Sequence, residues 1–192
     1  MKVTLIASTS NALDVLIYTK GTRLHMSADG MERVAAMSLE EKMKELAYMK
    51  NTIQSSWEFV DFTFAIEGVT RAFTHQLVRH RVGTSFAQQA QRVVEMTDFD
   101  YLATGSCSPS IVEGENTTHT SDWEMGDEVD VMHGDLEDIY RDTMHSIARG
   151  YKGLLDNGAK PQDARGVLPT NILTNIVFKA NLRTLHDMAL KR

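Results

Sequence analysis

Between Gly68 and Val94 the chain carries Arg71, His75, Arg79, His80, Arg81 and Arg92, and no acid. If Val69–His80 is helical, Arg71, His75 and Arg79 stand at i, i+4 and i+8, one above another. Arg79-His80-Arg81 adds three adjacent donors at the end of that helix. Cations grouped in this way suit phosphate or diphosphate, whose oxygens an arginine takes in a bidentate fork. Gln76, Gln88, Gln89 and Gln91 supply neutral amides nearby. An amide donates and accepts together, as a pyrimidine or imide edge requires. The chemistry these residue types describe is the binding of a phosphorylated, heterocyclic small molecule. The alternative is a set of surface arginines that pair with acids elsewhere in the fold, and composition leaves both open. Phe73, Leu77 and Val78 are interleaved with the cations, so the segment is half buried rather than simply solvated.

The remaining charge is distributed just as unevenly. From Val93 to Tyr140 there is no Lys or Arg, yet this stretch holds thirteen of the 26 acids. The rest of the chain sets its 20 cations against the other thirteen acids and is +7, whereas the whole is −6. A net acidic chain is poorly suited to a nucleic-acid polymer or an anionic membrane surface. His119 and His133 lie among the acids without a recognisable ligand spacing, so no metal is expected. There is no G-x-G-x-x-G, no Walker loop and no G-x-S-x-G elbow. Cys107 is the single cysteine, which excludes an internal disulfide framework and fits a reducing cytoplasm. No apolar run approaches a membrane span, and MKVTLIAST is too short for a signal peptide.

At 192 residues, one compact domain over 1–192 is expected. Lys2–Ser8 reads as a strand and Asn11 to about Thr19 as a helix. Ser38 and Glu41 form a capping box that starts a helix running to about Met49, with Met43, Leu46 and Ala47 as its apolar set. Phe59–Ile66 alternates and reads as a half-buried strand, with Val60, Phe62, Phe64 and Ile66 on one face. Val69–His80 reads as the helix of the basic window. Ala103–Met125 is a long loop rich in Gly, Ser, Thr and Asn. From about Glu128 to Leu155 an amphipathic helix is expected, with Met132, Leu136, Ile139, Tyr140, Met144, Ile147, Tyr151 and Leu154 as its stripe. Asn157-Gly158 stops it. Pro161 opens a short helix. Asn171–Lys179 reads as a strand, and Asn181–Arg192 as a final helix that Asn181 could cap. Strands mixed with long helices, without regular alternation, predict an α+β fold: a central, mostly antiparallel sheet flanked by long helices.

Three segments together resemble one family. Arg79-His80-Arg81 followed by Ser85-Phe86-Ala87-Gln88-Gln89-Ala90-Gln91-Arg92 is similar to the signature of flavin-dependent thymidylate synthases, R-H-R, seven residues, Ser, and an Arg two positions on. Ser55-Ser56-Trp57-Glu58-Phe59 with Phe62-Thr63-Phe64 resembles its E-T-P-F-E-H…F-T-F segment. Ala164-Arg165-Gly166-Val167-Leu168-Pro169-Thr170-Asn171 resembles A-R-x-x-L-P-x-N, and Asn181-Leu182-Arg183-Thr184-Leu185 resembles N-A-R-S-L. The three stand in the family's order over roughly residues 50–92 and 160–192.

The resemblance implies a homotetramer with FAD between subunits. It implies methylation of dUMP to dTMP, with methylenetetrahydrofolate as carbon donor and NADPH as reductant. Arg79, His80 and Arg81 would hold the FAD, chiefly its diphosphate, with Ser55, Glu58, Asn181, Arg183 and Asp187 also lining the flavin site. Gln76, Gln88, Gln89, Ala90, Gln91, Arg92, Arg165 and Arg192 would line the dUMP site. Arg92 and Arg165, near the nucleotide's phosphate or base, are the candidate catalytic residues. The reduced flavin carries the hydride, so the protein's share is orientation and electrostatics.

The chain departs from the family pattern at several places. Eight residues rather than seven follow Arg81 before the position of the Ser, and that position is Ala90. Gln88 stands for an acid, Val93 for a Tyr, Phe59 for a His, and Asp187 for an Asn, and Ile53 lies where a His is common. Two alternatives to methylation follow: a 5-hydroxymethyl product, or a homologue that binds flavin or nucleotide without turnover.

Overall fold

The computed structural model describes residues 1–22, 26–50, 54–97, 99–102 and 136–191. The region expected to form the long loop over 103–125, with Cys107 and His119, lies outside the described residues, as do Ile53, His133 and Arg192. The chain divides into two compact units, residues 1–89 with 174–192, and residues 90–173.

The first unit is built on an α+β plan. It contains β1 (Lys2–Ser8), α1 (Ala12–Gly21), α2 (Gly30–Ala35), α3 (Leu39–Lys50), a 3-10 turn (Ser55–Phe59), β2 (Asp61–Thr70), α4 (Arg71–Leu77) and β3 (Thr84–Gln88). From Thr174 it also contains β4 (Leu173–Asn181), then α7 (Leu182–Leu190). The sheet order is β1-β2-β4-β3. β1 pairs antiparallel with β2, and β3 with β4. Between β2 and β4, Val60 O accepts from Leu182 N–H, Asp61 pairs with Lys179, and Gly68 N–H donates to Asn175. Residue numbers rise on one strand as they fall on the other, so this pair is antiparallel too, as expected from sequence.

An aromatic ladder holds the register. Phe64 of β2, Phe178 of β4 and Phe86 of β3 stack in turn, with ring centroids 6.3 and 5.4 Å apart. Such cross-strand pairs contribute on the order of 0.5–1.5 kcal/mol each beyond their burial. They pack on a core of Ile66, Val69, Leu77, Ile176, Phe178 and Ala180, which Leu185 and Met188 of α7 also meet. β3 was not legible as a strand, because TSFAQ has a single large apolar residue.

Two expectations for this unit need correction. The helix of the basic window spans Arg71–Leu77, not Val69–His80, because β2 continues through the β-rich Val69 and Thr70. Thr70 is extended and its hydroxyl accepts from Phe73 N–H, capping α4. Arg79 therefore lies beyond the helix, and the stack Arg71–His75–Arg79 does not form. In α3 the capping box is present, with Ser38 N–H donating to Glu41 at 2.8 Å. Met43 and Ala47 are exposed, however, and Met49 is the buried residue of that helix.

The second unit contains α5 (Leu136–Asp156), α6 (Pro161–Ala164) and a 3-10 turn (Arg165–Val167). Tyr140, Met144, Ile147 and Tyr151 carry the apolar stripe of α5, but in the last turn Leu155 is half buried and Leu154 exposed. Tyr151 is fully buried and its hydroxyl accepts from Met96 N–H. Gly158, with φ 86, ends the helix as expected. Among the described residues, no helix is long and apolar enough to cross a membrane.

Candidate ligand pocket

The site is built around a tight junction between the basic segment and the start of α7. After α4 the backbone tightens, with Arg79 N–H donating to Gln76 O and His80 N–H to Leu77 O, both at 3.2 Å. The Thr84 hydroxyl holds His80 O at 2.5 Å, and His80 Nδ1 lies 3.2 Å from Leu77 O. Gly83 turns the chain at φ 67, which favours glycine. Across from it, Asn181 caps α7: it is extended, and its side-chain oxygen accepts from Thr184 N–H at 2.9 Å. Asn181 N–H donates to Gly83 O at 3.0 Å, and the Thr184 hydroxyl donates to Val82 O at 2.8 Å. Two peptide segments about a hundred residues apart are thereby locked together.

A pocket of about 440 Å³ opens at this junction. Glu58, Arg79, His80, Arg81, Asn181, Arg183 and Asp187 line it, seven of the eight residues that the resemblance assigns to the flavin. The eighth, Ser55, is exposed at the start of the 3-10 turn and is not among the lining residues. The volume lies within the roughly 300–1,000 Å³ of small-molecule sites.

Charge in the pocket is partly compensated. Arg183 Nη1 donates to Glu58 Oε1 at 2.5 Å, and Asp187 lies 3.7 Å from His186 Nδ1. Arg79, Arg81 and Lys191, which also line the pocket, make no ion pair among the described residues. Cations left without a protein anion around one cavity fit an anionic ligand such as a diphosphate. Val82, Thr184, Met188 and Lys191 complete the lining. Sequence reasoning passed over Lys191, although Arg183, Asp187 and Lys191 stand at i, i+4 and i+8, a spacing that puts them on one side of a helix.

The residues assigned to the nucleotide divide between the units. In the first, Gln76 lies on α4 and Gln89 is exposed. Gln88 is half buried, and its amide nitrogen donates to the hydroxyls of Thr74 at 3.1 Å and Thr174 at 3.4 Å. In the second, Ala90 and Arg92 are exposed, while Gln91 is buried and its amide nitrogen has no partner among the described residues. Arg165 is exposed on the turn after α6, where its Nε donates to Gln162 O at 3.2 Å. Among the described residues no group of three or more His, Cys, Asp or Glu could hold a metal ion.

Fold and pocket together define an α+β protein with a basic cavity suited to an anionic ligand and no glycine-rich nucleotide loop. Residues 4–192 match the family model described as thymidylate synthase complementing protein, and the chain belongs to that family. A flavin-dependent thymidylate synthase of Clostridium tetani is 34% identical over 191 residues, covering 96% of this chain and 71% of the relative. One of Nitratidesulfovibrio vulgaris is 35% identical over 191 residues, with the same coverage. Another, of Pyrococcus furiosus, is 27% identical over 187 residues, 96% of this chain and 68% of the relative.

Proposed function

We propose that this chain is a flavin-dependent thymidylate synthase. It methylates dUMP to dTMP, with methylenetetrahydrofolate as carbon donor and NADPH as the reductant of FAD. The observation that carries this reading is the single pocket lined by Glu58, Arg79, His80, Arg81, Asn181, Arg183 and Asp187. The names of the relatives agree with it.

When bound, the reduced flavin supplies the hydride, and the chain's residues bind and orient. Arg79 and Arg81 hold the diphosphate, and neither has an ion-pair partner among the described residues. Glu58 aims the Arg183 guanidinium into the pocket through their ion pair. Asn181 sets the junction from which both walls rise. Arg92 and Arg165 serve the nucleotide's phosphate or base. The buried Gln91 amide nitrogen, without a partner among the described residues, is offered as a donor to a pyrimidine carbonyl. Gln88 takes a positioning role, since its amide nitrogen is engaged by Thr74 and Thr174.

The family match runs through both units, which supports reading 1–192 as one domain. A homotetramer is supported by β1, whose seven residues are all exposed, with Val3, Leu5 and Ile6 each more than half so. An open, apolar sheet edge of this kind invites a partner. The single cysteine supports a cytoplasmic protein, and the net charge of −6 argues against a nucleic-acid partner.

The test is a visible absorption spectrum of the purified protein with and without dUMP, followed by release of the nucleotide's C5 hydrogen. A folded protein lacking both flavin absorbance and hydrogen release overturns the reading. Mass analysis of the product separates a methyl from a hydroxymethyl group, which the altered loop at Gln88–Gln91 makes worth measuring.

A further inference from the structure

A second pocket of about 360 Å³ adjoins the basic one and has Phe73, Gln76, Leu77 and Ala189 among its lining. The two cavities share three residues, His80, Met188 and Lys191. Of the Lys and Arg side chains lining either cavity, Lys191 alone lines both. It has no ion-pair partner among the described residues, whereas Arg183 on the preceding helix has Glu58. The diphosphate reading already uses Arg79 and Arg81. Lys191 is therefore a further uncompensated cation, standing where the basic pocket meets one lined by the Gln76 amide. An ammonium is a compact point charge with three donors, suited to a phosphate oxygen approached from either side.

We infer that Lys191 binds a phosphate oxygen at the junction of the two pockets. This rests on the proposed function, which supplies two sources for that phosphate: the flavin cofactor and the nucleotide. The competing role is structural, because Lys191 follows the last turn of α7 and a cation there favours the helix carbonyls. A cap of that kind changes stability and treats phosphorylated and unphosphorylated ligands alike.

The experiment uses the full chain with Lys191→Met, which keeps the aliphatic stem, and Lys191→Arg, which keeps the charge. FAD and FMN are titrated against riboflavin, and dUMP against deoxyuridine. The expected result is a roughly tenfold or greater loss for a phosphorylated ligand in Lys191→Met, with its unphosphorylated counterpart within about twofold and Lys191→Arg close to wild type. A split within the flavins assigns the cofactor phosphate, and a split within the nucleosides assigns the substrate phosphate. Unchanged binding, or equal losses with and without phosphate, overturns the inference. If wild type binds neither flavin nor nucleotide, the proposed function fails, and inorganic pyrophosphate then decides Lys191 alone. Weaker pyrophosphate binding by Lys191→Met supports the contact, and equal binding overturns it.

Discussion

Asn181 N–H donates to Gly83 O at 3.0 Å, joining the turn after Arg79-His80-Arg81 to the residue that caps α7. A β-carbon at Gly83 would lie 2.7 Å from both Asn181 Cγ and the Thr184 hydroxyl oxygen. Gly83→Ala also places an alanine at φ 67, a conformation costing on the order of 1–2 kcal/mol. We expect this variant to lose flavin and melt several degrees lower. At about 2–4 °C per kcal/mol for a chain of this size, the melting curve reads the strain directly. Thr184→Ser should keep flavin content near wild type and Thr184→Val should lower it, because only the hydroxyl reaches Val82 O.

Arg81→Ala removes an exposed cation that has no ion-pair partner among the described residues. Its fold should survive. A charge-assisted hydrogen bond to phosphate is worth about 1.5–3 kcal/mol, so flavin affinity should fall roughly 10- to 100-fold. A fluorescence titration of FAD checks this, and unchanged affinity would contradict the placement of the diphosphate.

Gln88 is a case where one atom matters. The Thr74 hydroxyl donates to Arg71 O at 2.9 Å, so it faces Gln88 as an acceptor, and Thr74 is fully buried. Gln88→Glu sets a carboxylate against that acceptor. The expected cost is about 1–3 kcal/mol of stability, seen as a lower denaturation midpoint near neutral pH. A variant as stable as wild type would show that the Thr74 bond carries nothing.

The capping box of α3 makes stability depend on acid. The Ser38 hydroxyl and then the Ser38 N–H hold the Glu41 carboxyl below its ordinary value of 4.5. A depressed folded value means the ionised group favours the folded state. That contribution is complete above the ordinary value and is lost as pH falls through the lowered one. Denaturant titrations of wild type and Glu41→Gln should therefore differ at neutral pH and converge in acid, below the lowered value. A gap that persists in acid would assign the difference to something other than ionisation.

Much of this molecule follows from local chemistry. Ser38 and Glu41 start α3, Asn181 caps α7, and Gly158 ends α5, because each satisfies helix-end groups within a few residues of itself. The alternation through Phe62, Phe64 and Ile66 makes β2 half buried, and the order of the motifs names the family. Local spacing does not settle where an element stops when neighbours compete for it. β2 runs on to Thr70 and shortens α4, so Arg79 leaves the helix and joins the pocket from a turn. β3 exists because Phe86 stacks on Phe178, a partner ninety-two positions away. Lys191 gains its place at two cavities only once α7 is docked beside His80. Residue type and spacing put into one segment the cations and amides that a phosphorylated ligand would need. Long-range packing decided which cations surround one cavity, since that depends on contacts between segments a hundred residues apart.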